Sequence, residues 1–250
     1  MKIALVTGGS RGLGKSMCQH IAARGNDVVL TYNSKKADAD EVVRQIEKAG
    51  RKAAALPLNV SDTKSFAGFV KSLGEILQTK WQRNDFDFLI NNAGFGIRAA
   101  FAETTEEQFD DLMQVHFKGP FFLTQKLLPL MKDGGRILNI SSGLARFTMP
   151  GFSAYAAMKG GVEVLTRYMA KELGARHISV NIVAPGAIET DFGGGLVRDN
   201  KEINQFIASQ TALGRVGLPD DIGGLVASML QDDTRWINGQ RIEATGGFNL

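Results

Sequence analysis

Cysteine is all but missing from this chain of 250 residues, with Cys18 the single example. One thiol excludes an internal disulfide and a cysteine-built metal cluster, and no metal is expected. It falls in an apolar helical pattern with Leu13, Met17 and Ile21, which reads as packing rather than chemistry. An excess of one charge is missing as well. The formal charge is only +3, and bases are interleaved with acids, as with Arg44 near Glu41 and Glu47 or Lys171 beside Glu172. No basic arm or stripe offers a nucleic-acid surface. Long apolar runs are absent too: Ile3–Val6 is too short for a signal peptide, and no stretch would span a membrane. A reducing cytoplasm is the expected location. Glycine, by contrast, is plentiful at 29 residues, placed in discrete turns.

What the chain does have is alternation. Ile3–Val6 leads into Thr7-Gly8-Gly9-Ser10-Arg11-Gly12-Leu13-Gly14, which predicts a strand, a glycine turn and a helix from Gly12 to Arg24. Such a turn lets backbone approach a pyrophosphate, which free N–H groups and the helix dipole then attract. The spacing is Gly-x-x-x-Gly-x-Gly, not Gly-x-Gly-x-x-Gly, and an isolated glycine turn can be purely structural. The second strand, Asp27–Tyr32, runs on into Asn33-Ser34-Lys35-Lys36, with no acid to take the adenosine ribose hydroxyls. Arg11, Lys35 and Lys36, with Asn33 and Ser34, suit a 2′-phosphate instead. NADP(H) is therefore preferred; NAD(H) is the alternative if the lysines only begin the next helix, which closes at Gly50.

Further strands are expected over Ala53–Val60, Phe86–Ile90, Arg136–Ser141, Ile178–Ala184 and Arg241–Thr245. A polar loop is expected over Gln78–Asp85. Overlapping capping boxes (Thr104 with Glu107, Thr105 with Gln108) predict one long helix reaching Met131, kinked at Gly119-Pro120 and ended by Gly134-Gly135. Ser153–Ala175 and the stretch from Pro219 read as helices. The glycine-rich segment 192–217, with a short helix around Glu202–Ser209, reads as a cover over a site. Residues 1–250 form one domain.

Tyr155 and Lys159 are spaced i, i+4, so on a helix they share a face. A phenol near pKa ~10 is a poor proton shuttle at neutral pH, and an adjacent ammonium favours its phenolate. Ser142 closes the preceding strand, where its hydroxyl can converge with the pair on one carbonyl oxygen. A chance Tyr-x-x-x-Lys on a solvated face is the plainer alternative.

Four separated signatures nevertheless agree, and the chain resembles the short-chain dehydrogenase/reductase family over its full length. They are Thr7–Gly14, Asn91-Asn92-Ala93-Gly94, Ser142 with Tyr155-x-x-x-Lys159, and Asn181–Thr190 with its Pro185-Gly186. The resemblance implies a single Rossmann-type α/β fold, a doubly wound parallel seven-stranded sheet with helices on both faces. It implies Tyr155 as general acid or base, Lys159 as its modulator and ribose ligand, and Ser142 as oxyanion donor. Cofactor contacts would come from Thr7, Gly8, Ser10, Arg11, Gly12, Leu13 and Gly14, then Asn33, Ser34 and Lys35. Asn59, Val60, Asn91, Ala93, Gly94, Pro185, Gly186, Ile188 and Thr190 would complete the set, beside Tyr155 and Lys159. The helices 105–131 and 153–175 would form a homo-oligomer interface, dimeric or tetrameric.

One position departs from the family pattern. Where an Asn commonly organises a water linked to the lysine, this chain reads Val115-His116-Phe117, so His116 is a candidate for the proton relay or a packed substitute. The look is closest to 3-oxoacyl-carrier-protein reductases, with Arg176 as a candidate contact for an acidic acyl carrier protein. Small ketones, quinones, sugars or sterols fit equally, and Phe95, Ile97, Phe147, Met149, Phe152 and Phe192 are candidates for an apolar pocket wall. The alternatives are an NAD-linked catabolic alcohol dehydrogenase and a non-catalytic cofactor-binding protein.

Overall fold

The computed structural model describes residues 1–250. Its strands are β1 Ile3–Val6, β2 Asp27–Tyr32, β3 Ala53–Pro57, β4 Phe86–Asn91, β5 Met131–Ile140, β6 Ser179–Pro185 and β7 Arg241–Ala244. All pair in parallel, in the order β3-β2-β1-β4-β5-β6-β7. The helices are α1 Gly12–Ala23, α2 Lys36–Lys48, α3 Phe66–Ile76, α4 Glu106–Met113, α5 Gly119–Leu127, α6 Ser153–Glu172, α7 Leu196–Asp199, α8 Lys201–Ser209 and α9 Pro219–Met229.

Strands buried on both faces explain the continuous apolar runs, because a parallel sheet needs cover above and below. Ala4 and Val6 of β1 point into a core shared with Met17, Cys18 and Ile21 of α1, Val42 and Ile46 of α2, and Ile222 and Val226 of α9. Ile3 and Leu5 point the other way, toward Phe66, Phe69 and Leu73 of α3 and Leu123 and Leu127 of α5. Cys18 is packing, as expected: it is buried, and burial pushes its thiol far up.

Several boundaries differ from the sequence reading, each for a local reason. Strand β3 stops at Pro57 rather than Val60, because the Asn59 side chain accepts from the Ser61 amide and hydroxyl and turns the chain. The supposed polar loop after α3 is instead one wide helical turn, Leu77–Trp81, anchored by buried Leu77 and by Trp81 Nε1 donating to Asp27 at 2.8 Å. Only Thr105 with Gln108 forms the capping box of α4. The long helix is interrupted not at Gly119-Pro120 but just before it, by a π-turn over Gln114–Lys118; Pro120 lies in the first turn of α5, where no amide hydrogen is needed. Strand β5 begins at Met131, ahead of the expected Arg136, with a register shift opposite β4 and Gly134 at φ +78°. Helix α6 ends at Glu172 and gives way to a tighter turn, Leu173–Arg176. The cover segment is more helical than expected: α7 precedes α8, and the Asn200 side chain caps α8 by accepting from the Ile203 amide at 3.0 Å.

A buried polar chain runs beneath the carboxyl ends of the central strands. Asn91 Nδ2 donates to Thr124 of α5 at 3.0 Å and to Asn139 of β5 at 2.9 Å, and Asn139 Nδ2 donates to Thr166 of α6 at 2.8 Å. It fastens both helices to neighbouring strands. Replacing Asn139 by Ala orphans the Asn91 donor, so Asn139→Ala lowers unfolding stability by about 1–3 kcal/mol, read as a lower urea midpoint at unchanged slope.

Candidate active site

The chain runs outward from β1 to β3 and then returns to β4, so β1 and β4 are neighbours at a topological switch point, where open α/β sheets bind ligands. The crevice is tied together there. Thr7 Oγ1 accepts from the amides of Asn92 at 2.9 Å and Ala93 at 3.0 Å, and Asn92 Nδ2 donates back to the Thr7 carbonyl at 2.8 Å. Gly8 sits at φ +67° with its amide on Thr31 Oγ1, and a Cβ on it would lie 3.0 Å from Ala93 Cα. A Cβ on Gly14 would lie 2.1 Å from the Gly8 carbonyl, so glycine alone lets α1 start so close to β1.

That helix start is suited to an anion: no side chain caps it, no acid lies in its first turn, and a Cβ on Gly12 would meet only Thr190, at 3.7 Å. Asn33, Ser34 and Lys35 are exposed beyond β2, as a 2′-phosphate site requires, and no acid is among them. Lys36, by contrast, is occupied by Asp40 at 2.6 Å. Arg11 lies 3.9 Å from Asp191, on the segment following β6. Ile188 pairs with Gly217 and holds that segment in place. Pro185 and Gly186 pack under β7, where a Cβ on Gly186 would lie 2.9 Å from Thr245 Cα. Asn59 and Val60 lie past β3 on the same side of the sheet. Asn91 is different: its amide is engaged in the core with Thr124 and Asn139, not turned into the crevice.

Ser142, Tyr155 and Lys159 meet at the end of β5. The Ser142 hydroxyl faces the Tyr155 phenol closely enough to favour its phenolate, and Ser142 also accepts from the Leu144 amide at 3.2 Å. Lys159 Nζ lies 5.6 Å from the centre of the Tyr155 ring and donates to the Ile140 carbonyl at 2.7 Å. Tyr155 is 5% exposed and Lys159 6%. The lysine was expected to depress the phenol, but here burial dominates: it pushes Tyr155 up, with Ser142 pulling the other way. Burial likewise brings Lys159 down to about 7.

His116, 2% exposed, packs edge-on to Tyr155 with centroids 5.0 Å apart. Of the expected pocket wall, Phe192 covers Tyr155 at 5.6 Å, with Gly96 close beneath its ring, and Phe95 lies 5.7 Å from His116. Phe147 meets Phe248 edge-on at 5.6 Å, a residue the sequence reading missed; only the two glycines before it hinted at a turn back toward the site. Glu163 was missed too, although it lies one further turn along the Tyr155–Lys159 face. It accepts from Ser141 Oγ at 2.6 Å and Arg241 Nε at 2.8 Å, bracing the strand end that carries Ser142.

Arg176 corrects an expectation. It lies at the far end of α6, where it bonds Asp133 at 2.7 Å and the Leu128 and Met131 carbonyls, beside the start of β5. The site sits at the opposite ends of the strands, so this arginine cannot meet a carrier there. No group of three His, Cys, Asp or Glu side chains is placed to hold a metal.

Residues 8–249 match the family model described as enoyl-(acyl carrier protein) reductase. A hydroxynaphthalene reductase-like protein of Metarhizium majus is 35% identical over 258 residues, covering 98% of this chain and 94% of its own. The promiscuous reductase LugOII, which catalyses keto-reduction at C1 in lugdunomycin biosynthesis, superposes with a TM-score of 0.94 at 39% identity, covering 100% of this chain and 98% of its own. The angucycline C-6 ketoreductase LanV with bound NADP gives 0.94 at 35% identity, covering 99% and 95%. The protein belongs to the short-chain dehydrogenase/reductase family and is an oxidoreductase.

The depressed lysine has a consequence for stability without cofactor. Between about pH 7 and pH 10 the unfolded chain holds a proton on Lys159 that the folded chain releases. The unfolded state then binds more protons, so stability rises with pH across this window. Urea unfolding at pH 7 and pH 9.5 should show the wild type gaining stability relative to Lys159→Met.

Proposed function

We propose that this protein is an NADP(H)-dependent ketoreductase that exchanges a hydride with the carbonyl or secondary alcohol of a flat, largely apolar small molecule. The observation that carries the reading is the convergence of Ser142 with the buried Tyr155 and Lys159 at the end of β5, with Phe192 against the Tyr155 ring. Bound in the crevice, the nicotinamide supplies the hydride. Ser142 and Tyr155 hold the substrate oxygen between their hydroxyls, and Tyr155 gives it a proton as charge develops. Lys159, fixed by the Ile140 carbonyl, keeps a cation beside the phenol as that proton leaves. Thr7, Gly8, Ser10, Gly12, Leu13 and Gly14 receive the pyrophosphate side, Asn59 and Val60 the adenine, and Pro185, Gly186, Ile188 and Thr190 the nicotinamide side. Arg11, Asn33, Ser34 and Lys35 select the 2′-phosphate.

The substrate class is supported by Phe192 on Tyr155, Phe95 beside His116 and the Phe147–Phe248 pair, aromatic faces that suit a fused-ring ketone, and by the relatives named for hydroxynaphthalene and angucycline reduction. A carrier-borne 3-oxoacyl thioester has less support, since Arg176 is spent elsewhere. Exposed Phe109, Phe121, Phe122 and Tyr168, on α4, α5 and α6, support homo-oligomerisation through those helices. A cytoplasmic location remains the reading for a protein with one free thiol.

Fluorescence titration should give at least about tenfold tighter binding of NADPH than of NADH, roughly 1.4 kcal/mol, and Arg11→Ala with Lys35→Ala should erase the difference. Tyr155→Phe should lower turnover of a fused-ring ketone by about a thousandfold or more while NADPH still binds; undiminished turnover sinks the mechanism.

A further inference from the structure

His116 occupies the one family position at which this chain departs from the expected Asn, and its surroundings define what the ring does. It sits in the π-turn Gln114–Lys118, a local widening of the helix of the kind that recurs at functional sites. The extra backbone residue there directs the imidazole inward, against Gly94, where a Cβ would lie 2.6 Å from Cε1. Nε2 is 2.7 Å from the Phe95 carbonyl oxygen. A carbonyl only accepts, so Nε2 carries the hydrogen; the Phe95 amide, 3.4 Å from the same nitrogen, is too distant to compete. Nδ1 is therefore an acceptor, and it is buried without a partner. The ring presents its edge to Tyr155 at an interplanar angle of 86°.

We propose that His116 is a positioning residue: its imidazole ties the Phe95 turn to the Tyr155 ring, through Nε2–H on the Phe95 carbonyl and a ring edge on the phenol, and it does not pass protons to Lys159. Three observations point this way. The Lys159 ammonium turns to the Ile140 carbonyl at 2.7 Å, not to the imidazole. The nitrogen with a hydrogen to give is committed to backbone. Burial, with the charge of Lys159 adding to it, holds His116 down at about 3, so the ring stays uncharged wherever the enzyme works. What it does fix is the turn after Gly94, which leads from the crevice floor to the substrate wall at Phe95. An Asn in its place is too short to span from the helix to that carbonyl and still fill the space beside Tyr155.

Two isosteric variants separate the roles, since a Gln amide reaches the place of Nε2 and an Asn amide the place of Nδ1. In ketone reduction, His116→Asn should raise KM about tenfold with kcat within roughly threefold, whereas His116→Gln should raise KM by roughly threefold or less. The reverse pattern, a tenfold fall in kcat for His116→Gln with His116→Asn unimpaired, would show a relay and overturn the proposal. Equal behaviour of the two variants would overturn it as well. NADPH titration of both variants confirms that each is folded. The kinetic arm rests on the ketoreductase reading; a second arm does not. Nitrogen-15 NMR of histidine-labelled protein at pH 7 should show Nε2 protonated and Nδ1 bare, and the opposite tautomer or an imidazolium would overturn the assignment whatever the substrate.

Discussion

A buried ammonium with no carboxylate beside it is the constraint on which this architecture turns. Lys159 is held by a single protein acceptor, the Ile140 carbonyl at the end of β5, so the strand end and the helix face must keep their separation. The nearest acid on the same helix face, Glu163, is committed to Ser141 and Arg241, and Arg241 in turn to Glu243 at 2.8 Å. Arg146, 2.7 Å from Glu243, brings that set to two acids and two arginines, so it carries no net charge to balance the lysine. A charge left so exposed to its neighbours acts strongly on any group that ionises nearby, because the surroundings screen it weakly. The arrangement is costly to the folded chain, and it is the setting the proposed proton transfer from Tyr155 would use.

The sheet and crevice below are built to make that cost tolerable. Glycine at position 14 brings α1 against β1, and Asn92 with Thr7 locks β4 to the same turn. The Thr124–Asn91–Asn139–Thr166 chain then fastens α5 and α6 to the central strands. Both of its buried amide nitrogens have acceptors, while Asn91 Oδ1 is left without a partner.

Much of this was legible in the residues. All seven strands were anticipated, most as apolar runs because parallel strands need no alternation, but β5 begins at Met131 rather than Arg136 and β3 ends at Pro57 rather than Val60. The Tyr155–Lys159 face followed from helical spacing, and the anion cradle from uncapped glycines. What was not legible depends on contacts far apart in sequence. The π-turn at Gln114–Lys118 places His116 against Gly94, twenty-two residues earlier, a contact with no local signal. The helical turn at Leu77–Trp81 depends on Asp27, fifty-four residues earlier. Phe248 reaches the site only because the tail pairs with Thr211. The pKa directions at Tyr155 and Lys159 could not be read from spacing either, since burial sets them.

Phe192 rests on the Tyr155 ring and is itself 41% exposed. The three residues after it, Gly193, Gly194 and Gly195, all have positive φ, a conformation from which glycine can depart at little steric cost. With Phe192 in place the Tyr155 ring is covered, and a ketone that needs that space binds only to molecules in which the Phe192 ring has swung out. Its apparent affinity is then its intrinsic affinity multiplied by the open fraction. A bulky and a slender ketone of equal intrinsic affinity would thus be told apart by how far each requires the ring to travel, a selectivity set by population rather than by contact.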